Sequence, residues 1–269
     1  MNGLQEYMLC EKNTLENFIV IEENKIAYES ALMAVEKHGQ YNPIYIAGNE
    51  SGLGVTHLLQ GIAWKLKKEK PVRRFRYVDC DTFLSQYIDA ITNNKCSQFD
   101  SAYTGEIDCF LFDGAQYLDG KPNLQNGLRI IFDGLFNAGK QIVFGGRVPC
   151  EIPGLIGEIS SRLSFAVLTE IEVPAYNSRL ALIRKFMEKC PQKIDNGILE
   201  LIADNISGSI SPLRGACERL RLHSTLVDEP VTVEKARGLL SDLFNASKNN
   251  GSVEKPNVQG SIYTKLEED

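Results

Sequence analysis

The chain has 269 residues, 43% of them hydrophobic, and carries a formal net charge of −6 at pH 7. This length and composition are typical of a globular protein with a sizeable core. The acidic balance argues against a protein whose main role is to grip nucleic acid, because such proteins usually carry an excess of basic residues. The sequence has no apolar run of the roughly 18 residues that suggest a membrane span, and its N-terminus shows no signal peptide.

Seven cysteines are scattered along the chain, and no two of them have CxxC spacing. This pattern argues against a disulfide framework or a zinc site and favours a reducing compartment. Cys109 lies inside an apolar segment and is expected in the core. We therefore expect a cytoplasmic protein without membrane association.

Strand and helix patterns alternate in the first 174 residues. Such alternation predicts an α/β fold with a mainly parallel sheet that is covered by helices on both faces. The predicted strands are 44–47, 75–79, 108–113, 140–145 and 165–172, and the predicted helices between them are 56–68, 80–94 and 124–139.

After Pro174 the sequence shows helical patterns only, at 178–190 and 195–206 and then beyond "SGS". Ser211 followed by Pro212 is typical of a helix N-cap with proline in the first position. Thr232 is predicted to cap a last helix that ends near Phe244. The predicted organisation is an N-terminal tail (1–12), an α/β core (13–174), a helical domain (175–245) and a disordered tail (246–269).

The segment "IYIAGNESGLGVTHLLQ" has the layout of a phosphate-binding loop, in which an apolar strand, a glycine-rich turn and a helix follow one another. In the motif GxxxxGK[ST] the lysine contacts the β- and γ-phosphates and the Ser or Thr binds Mg²⁺. Gly48, Gly52, Gly54 and Thr56 fit this layout, but Val55 stands where the lysine is needed. Five residues separate Gly48 from Gly54, one more than the motif has. The alternative is a glycine-rich turn that binds nothing.

The apolar segment "DCFLFD" ends in Asp113, as in the strand whose aspartate helps to hold Mg²⁺ in nucleotide hydrolases. Thr56 and Asp113 are therefore the candidate magnesium ligands if a Mg-nucleotide binds. Hydrolases of this class carry a second acid directly after the aspartate. Gly114 takes that position here and has no group that could act as a base.

The segments "GLGVTHLLQGIA", "DGAQYLDGK", "GKQIVFGGRVPCEIPGL", "SRLSFAV" and "IEVPAYNSRLALIRKFMEK" follow one another in the order and spacing of one family. They resemble the AAA+ core of the bacterial replication initiators of the DnaA type and their shorter Hda-like relatives, over residues 13 to 245. The resemblance implies an AAA+ P-loop-type fold, with a parallel five-stranded sheet and a small all-α lid domain.

The resemblance also implies which positions should be catalytic, and most of them are changed. An arginine finger, which acts on a neighbouring subunit, is retained as Arg162, whereas the arginine four residues earlier in the family is Glu158 here. The other matching positions are Val55 for the lysine, Gly114 for the second acid, Gly145-Gly146-Arg147 for sensor 1, and Ser211 for the sensor 2 arginine.

The positions that face DNA in the family are also altered. DnaA reads duplex DNA with a C-terminal helix-turn-helix domain, and we expect no such domain from this sequence. Basic residues that hold single-stranded DNA in the family correspond to Asp100, Ser101 and Ala102. The basic stretch 65–76 is either a phosphate contact or, as we favour, a solvated helix end. We expect DNA binding to be weak or absent.

The interpretation we favour is a protein without ATPase activity that regulates replication initiation through protein contacts. Its partner is expected to be DnaA or another replication protein, with Arg162 acting in trans; the alternative for Arg162 is an ordinary surface or salt-bridged arginine. One competing hypothesis is a switch, or a helicase-loader-like factor touching DNA, that binds ATP or ADP with Mg²⁺. Another is an ATPase in which Arg147 or a basic residue near Arg74 replaces the lysine. A homo-oligomer is compatible with each hypothesis.

Two short segments resemble the peptides that bind sliding clamps, in which a glutamine is followed by apolar anchors. Both lie near the chain ends, where short linear motifs act, but patterns this short also arise by chance. The residues concerned are Gln5, Met8 and Leu9 in "QEYML", and Gln259, Ile262 and Tyr263 in "QGSIY".

Overall fold

The computed structural model describes residues 9–69, 74–227 and 229–250, with the side chains of 248–250 left aside. The chain divides into two compact units. Of the described residues, the first unit takes those as far as Leu182 and Ser209–Ser211, and the second takes Ile183–Gly208 and those from Pro212 onward. The division therefore falls inside a helix rather than at residue 175. Among the helices described, none is long and apolar enough to cross a membrane.

The first unit is built on a sheet of five parallel strands in the order β2-β3-β4-β1-β5. Strands β1, β3 and β4 are buried at every position, which explains why they appear in the sequence as continuous apolar runs. The predicted five-stranded parallel sheet is confirmed, and each strand end lies within two residues of its predicted place. The strands are β1 (Ile44–Gly48), β2 (Phe75–Asp79), β3 (Cys109–Asp113), β4 (Gln141–Gly146) and β5 (Val167–Ile171).

Helices cover both faces of this sheet, and alternate residues of each strand enter different cores. On one face, Tyr45 packs in a cluster with Phe83 and Phe144. On the other, Ile46 packs with Ala31 and Leu59. The helices of this unit are α1 (Lys25–Glu36), α2 (Val55–Glu69), α3 (Cys80–Thr92), α4 (Cys96–Thr104), α5 (Pro122–Asn137), α6 (Gly157–Ser164) and the first part of α7 (Tyr176–Met187).

Helix α4 is an element that the sequence interpretation missed, because its polar residues were considered only as a DNA-facing segment. Phe99 and Tyr103 are spaced by one helical turn and are both buried. Their rings lie 5.4 and 5.2 Å from that of Phe83. These two aromatic residues therefore fix α4 to the core.

The second unit contains the rest of α7, then α8 (Asn196–Asn205), most of α9 (Ile210–Leu226), α10 (Val233–Leu239) and α11 (Ser241–Asn250). Thr232 caps α10 by accepting a hydrogen bond from Lys235 N, as predicted. Three predictions are wrong. Helix α9 begins at Ile210, so Ser211 lies inside it rather than capping it. The last predicted helix is two helices, and α11 makes 246–250 helical rather than disordered.

The N-terminal residues that the structure describes are not a free tail. Leu9 is buried in the core beside α2, with 7% of its surface exposed. The backbone of Cys10 is held on both sides, since its N–H donates to Gln60 Oε1 at 3.0 Å and its carbonyl accepts from Trp64 Nε1 at 2.9 Å. The predicted tail 1–12 is therefore wrong for residues 9–12.

Candidate functional site

The glycine-rich loop joins the end of β1 to the start of α2 at the carboxyl edge of the sheet. Gly52 and Gly54 have φ values of +85° and +116°, which residues with a side chain rarely adopt. A Cβ on Gly54 would also lie 2.9 Å from the ring of Phe18. The turn therefore needs glycine at both positions, as the phosphate-binding layout predicts.

Val55 packs between the ends of β1 and β4, where both neighbours are glycines. Its Cγ2 atom lies 3.0 Å from the place a Cβ on Gly48 would occupy, and its Cγ1 atom lies 2.7 Å from that place on Gly145. An isopropyl group thus occupies the position at which a phosphate-binding loop presents a lysine. It offers no charge to a phosphate.

Asp113 ends β3 at the same edge of the sheet and is in contact with Thr56. Its carboxylate accepts hydrogen bonds from the Thr56 hydroxyl and from Tyr77 Oη, the latter at 2.9 Å. Burial raises the pKa of Asp113 and is the largest influence on it; the two hydroxyls act in the opposite direction, and the nearby Asp79 carboxylate raises the pKa further. The structure therefore brings together the two predicted magnesium ligands.

These two residues fit a magnesium ion better than the loop fits a phosphate. Hydroxyl and carboxylate oxygens are the donors that Mg²⁺ takes in nucleotide sites, but Val55 supplies no cation to the phosphates. Within residues 9–69, 74–227 and 229–250, no group of three or more His, Cys, Asp or Glu side chains could hold a metal ion. A Mg-nucleotide would therefore be held by the loop amides, Thr56 and Asp113.

Gly114 has a left-handed backbone, with φ at +82°. A Cβ at this position would lie 2.9 Å from Tyr117 Cδ2, so a glutamate would have to strain the backbone and displace that ring. The Gly114 N–H donates to the carbonyl of Gly145 at 2.9 Å, which ties this turn to the end of β4. The position of the second acid is thus built around glycine.

The predicted sensor 1 residues lie at the end of β4. A Cβ on Gly146 would lie 2.9 Å from both Ala115 N and Tyr45 Oη, so this position is closed to larger residues. Arg147 follows directly, with an exposed side chain, and its carbonyl accepts a hydrogen bond from Tyr45 Oη. Arg147 therefore lies at the same edge of the sheet as the glycine-rich loop.

Arg74 does not replace the lysine. It precedes β2 and so lies at the amino edge of the parallel sheet, about 17 Å of strand length away from the loop edge. Its guanidinium forms an ion pair with Glu106. The position and the ion pair of Arg74 therefore argue against it as the residue that replaces the lysine in the competing ATPase hypothesis.

Other cations of the 65–76 stretch also have partners within the chain. Lys65 and Lys68 pair with Glu69 and Glu16, at 2.9 and 3.9 Å. Arg76 lies over the ring of Tyr103 at 4.7 Å. These contacts favour the solvated helix end over a phosphate-binding surface.

Ser211, at the predicted sensor 2 position, lies beside the glycine-rich loop. Its Oγ is 3.5 Å from the carbonyl oxygen of Gly52, which also accepts a hydrogen bond from Ile210 N at 3.2 Å. A Cβ on Gly52 would lie 2.3 Å from that Oγ atom. At the position predicted for sensor 2, a neutral hydroxyl therefore lies beside the glycine-rich loop.

Arg162, the predicted arginine finger, is held within its own chain. Its Nε and Nη2 donate to the two carboxylate oxygens of Asp133 at 2.6 and 2.7 Å, and its Nη1 donates to the carbonyl of Glu158 at 2.7 Å. Arg129 Nη1 lies 3.4 Å from the same carboxylate. The salt-bridged alternative is thus what the structure shows, and a role in trans requires Asp133 to be exchanged for another partner.

Most of the predicted clamp-binding residues lie outside the described residues. The exception is Leu9, which is a correction, because its side chain packs into the core beside α2 and is not exposed as an anchor. The residues outside the described part are Gln5, Met8, Gln259, Ile262 and Tyr263.

Two polar residues near Asp113 were not predicted. Tyr77 lies on β2, the strand next to β3, and donates to the Asp113 carboxylate. Gln60 lies one turn after Thr56 on α2 and donates to Tyr77 Oη at 3.2 Å. A glutamine at a core-facing helical position was the available signal, because buried polar side chains usually have a specific partner.

Comparisons with known proteins agree on one family. Residues 9–170 match the model of the bacterial DnaA ATPase domain. The chromosomal replication initiator protein DnaA of Lactobacillus johnsonii is 34% identical over 249 residues, which is 92% of this chain and 54% of the relative. The chain thus spans about half the length of the curated relatives it matches.

Two solved structures are similar in fold as well as sequence. Domain III of the Thermotoga maritima replication initiation protein DnaA superposes with a TM-score of 0.81 at 31% identity, over 88% of this chain and 98% of that one. A replication initiator DnaA bound to AMPPCP and single-stranded DNA gives a TM-score of 0.75 at 30% identity, over 80% and 66% of the two chains. On the matched sequence and the shared AAA+ sheet, this chain belongs to the bacterial DnaA ATPase-domain family.

Proposed function

We propose that this DnaA-family chain does not hydrolyse ATP and regulates the initiation of chromosomal replication through contacts with other replication proteins. The observation that carries the proposal is the packing of Val55 between Gly48 and Gly145. The lysine position holds an isopropyl group, and the strand ends around it carry no side chains of their own. The relatives' role in replication initiation is the basis for the biological setting.

The chemistry of hydrolysis supports the first half of the proposal. Phosphoryl transfer depends on cations that stabilise the charge on the phosphates and on a residue that orients the attacking water. Val55, at the lysine position, removes one such cation. Gly114, at the position of the second acid, removes the residue that would orient the water. Removing a single group that stabilises the transition state typically lowers the rate about 100- to 1000-fold, so losing both leaves little turnover.

The test is the release of labelled phosphate from ATP in the presence of Mg²⁺. The matched variants are Asp113→Asn, at the site, and Asp119→Asn, at an exposed aspartate six residues later. We expect the same background rate from the wild-type chain and from both variants. Turnover that Asp113→Asn abolishes and Asp119→Asn leaves intact would overturn the proposal.

The second half of the proposal concerns Arg162. Together with Phe165, which is exposed, it lies at the surface around the end of α6, where a partner protein can reach it. An arginine that leaves Asp133 could stabilise charge in the nucleotide site of a neighbouring AAA+ subunit. The proposed partner is therefore an ATP-bound initiator of the DnaA type.

Arg162→Ala and Arg129→Ala make a matched pair. Both arginines contact Asp133, but only Arg162 lies at the position predicted for the arginine finger. The measurement is the ATP turnover of the DnaA initiator from the same organism, with and without this chain. We expect the wild-type chain to change that turnover, Arg162→Ala to lose the effect, and Arg129→Ala to lose only a part of it, because Arg129 contacts Asp133 without reaching the partner. Equal loss in both variants would exclude a specific role for Arg162.

A second candidate function is a nucleotide-dependent switch that binds ATP or ADP without turnover. The contact between Thr56 and Asp113 favours it, together with the retained turn at Gly52 and Gly54. Calorimetric titration with ATP and ADP, each with Mg²⁺, separates the two candidates. Micromolar binding that Thr56→Val removes would support the switch, whereas no heat at high ligand concentration would leave the regulator without a nucleotide.

A further inference from the structure

The first described residues form a segment, Leu9–Thr14, that lies along one face of α2; we name it the N-terminal strap. Three α2 side chains hold its backbone. Gln60 Oε1 accepts from Cys10 N at 3.0 Å, Trp64 Nε1 donates to the carbonyl of Cys10 at 2.9 Å, and His57 Nε2 lies 2.8 Å from the carbonyl oxygen of Thr14. Helical spacing places these three side chains on one face of α2.

Helix α2 is shaped to receive the chain that follows the strap. Gly61 lies in the middle of α2, where glycine is less favourable than alanine. A Cβ at this position would lie 2.6 Å from Leu15 Cδ2 and 3.0 Å from the Leu15 nitrogen. The missing side chain therefore lets the backbone at Leu15 approach the helix closely.

A chain of hydrogen bonds leads from the strap to the candidate nucleotide site. Gln60 Oε1 accepts from Cys10 N and from Asn13 Nδ2, at 3.0 and 2.9 Å, which fixes the orientation of the amide. Gln60 Nε2 then donates to Tyr77 Oη at 3.2 Å, and Tyr77 donates its own proton to Asp113 Oδ2 at 2.9 Å. Every bond in this chain donates toward Asp113.

We call this chain of hydrogen bonds through Gln60, Tyr77 and Asp113 the relay. All three side chains are buried. Gln60, Tyr77 and Asp113 are 6%, 4% and 7% exposed. Buried polar groups are costly to leave without a partner, and groups in one network influence each other's hydrogen bonds. A change at one end of the relay therefore alters the partners available at the other.

We propose that the N-terminal strap and Asp113 are coupled through Gln60 and Tyr77, so that a change in what Asp113 binds alters the docking of the strap. When Asp113 no longer accepts the Tyr77 proton, that hydroxyl turns to another acceptor, and its bond from Gln60 Nε2, which helps to hold the amide toward Cys10 N and Asn13, is weakened. The coupling is reciprocal, because a bound strap equally favours the present partners of Asp113. This inference goes beyond the proposed regulatory function and does not depend on it.

A second contact reinforces the same connection. The Thr56 hydroxyl donates to Asp113, and the next residue on α2, His57, holds the carbonyl of Thr14. If the first turn of α2 moves relative to Asp113, the strap is therefore affected in two ways. One is the relay through Tyr77 and Gln60, and the other is the contact of His57 with Thr14. Both routes lie entirely within the first compact unit.

The chain has one tryptophan, Trp64, and it is bonded to the strap. Its fluorescence emission and the hydrogen exchange of the Cys10 amide therefore both report strap docking. The first variant is Tyr77→Phe, which deletes only the relay hydroxyl. Its matched control is Tyr45→Phe, which deletes a buried hydroxyl bonded to the Arg147 carbonyl, outside the relay.

We expect Tyr77→Phe to speed exchange of the Cys10 amide about fivefold, the change that one neutral hydrogen bond is worth, and to shift the emission of Trp64. Tyr45→Phe should change neither. If both variants behave alike, or if Tyr77→Phe leaves exchange unchanged, the relay does not hold the strap and the proposal is overturned.

Asp113→Asn tests the far end of the relay, with Asp119→Asn as the exposed control. We expect faster Cys10 exchange only in Asp113→Asn, and unchanged exchange in both variants would overturn the coupling. Circular dichroism checks that each variant folds. If Asp113→Asn does not fold, Thr56→Val takes its place, because it removes the other hydroxyl from Asp113 at an exposed position. Unchanged exchange in Thr56→Val would then count against the proposal.

Discussion

The side chain of Val55 occupies the space that a side chain on Gly145 would need. The Cγ1 atom of Val55 lies 2.7 Å from the point at which a side chain on Gly145 would begin, and Leu59 Cδ1 lies 2.8 Å from that same point. Real Cβ atoms do not make contacts that short, so the residue at 145 depends on the residue at 55. The side chain at position 55 and the absence of a side chain at position 145 are therefore linked by packing.

This dependence predicts the stability of a pair of variants. Gly145→Ala should lower the free energy of unfolding by about 1–3 kcal/mol, because the added methyl overpacks a closed site. Adding Val55→Ala should recover part of that loss, since it removes the closer of the two clashing groups. Urea unfolding of the single and double variants gives the interaction energy directly.

Gly157→Ala is the control for this pair, because a Cβ at Gly157 meets nothing within 4 Å. It should change the free energy of unfolding by less than about 0.5 kcal/mol. If Gly145→Ala were equally neutral, Val55 would not fill the site as the structure shows.

The close approach of Leu15 to α2 predicts opposite results for two helix glycines. Gly215→Ala, inside α9 with open space around it, should stabilise the protein by about 0.4–1 kcal/mol. Gly61→Ala should destabilise it, because the clash with Leu15 outweighs the same gain in helix propensity. The measurement is the thermal unfolding midpoint of each variant relative to the wild type. Stabilisation by Gly61→Ala would show that the chain at Leu15 is only loosely held against α2.

The raised pKa of Asp113 predicts a pH dependence with a definite sign. The folded protein holds a proton on this carboxyl more tightly than the unfolded chain does, because burial disfavours the charged form. The resulting stability is present below the ordinary pKa of aspartate and is lost as pH rises through the raised value. The free energy of unfolding of the wild type, minus that of Asp113→Asn, should fall across this window and then level off.

Urea unfolding at a series of pH values from about 4 to 7 measures this difference. Other carboxyls act in the opposite direction, because hydrogen bonds from the backbone lower the pKa of Glu16 and Asp108, and the stability they contribute is lost as pH falls. Subtraction of the variant removes these shared contributions. A difference that rises with pH would mean that the Thr56 and Tyr77 hydroxyls outweigh burial at Asp113.

The ion pair of Arg162 should contribute little to stability. The side chains of Arg162 and Asp133 are 26% and 34% exposed, so water screens much of their attraction. Arg162→Ala should therefore lower the free energy of unfolding by about 0.2–1 kcal/mol. A loss above about 2 kcal/mol in chemical denaturation would identify Arg162 as a structural residue and weaken its proposed role toward a partner.

The sheet was predictable because each central strand is buried on both faces and carries a continuous apolar run. The segment "CFLFD" shows this clearly, and β3 begins and ends with it. The turn at Gly52 and Gly54 was predictable for a related reason, since a positive φ leaves few residues other than glycine. Local chemistry decided both features.

The features that were missed or left open depend on contacts between distant parts of the chain. Nothing local in "LCEKN" indicates that Leu9 is buried or that the Cys10 backbone binds Gln60, fifty residues away. Whether Arg162 is free or paired depends in the same way on Asp133, which lies on another helix. Periodicity identifies helices and strands but not which polar groups meet between them.

Asp133 contacts two arginines, and this has a consequence for how Arg162 can leave its own chain. In an isolated ion pair, departure of the cation strands the carboxylate. Here Arg129, one helical turn away on α5 and already 3.4 Å from the carboxylate, can close in as Arg162 withdraws. Arg162 can thus move to another molecule while Arg129 keeps the charge of Asp133 neutralised.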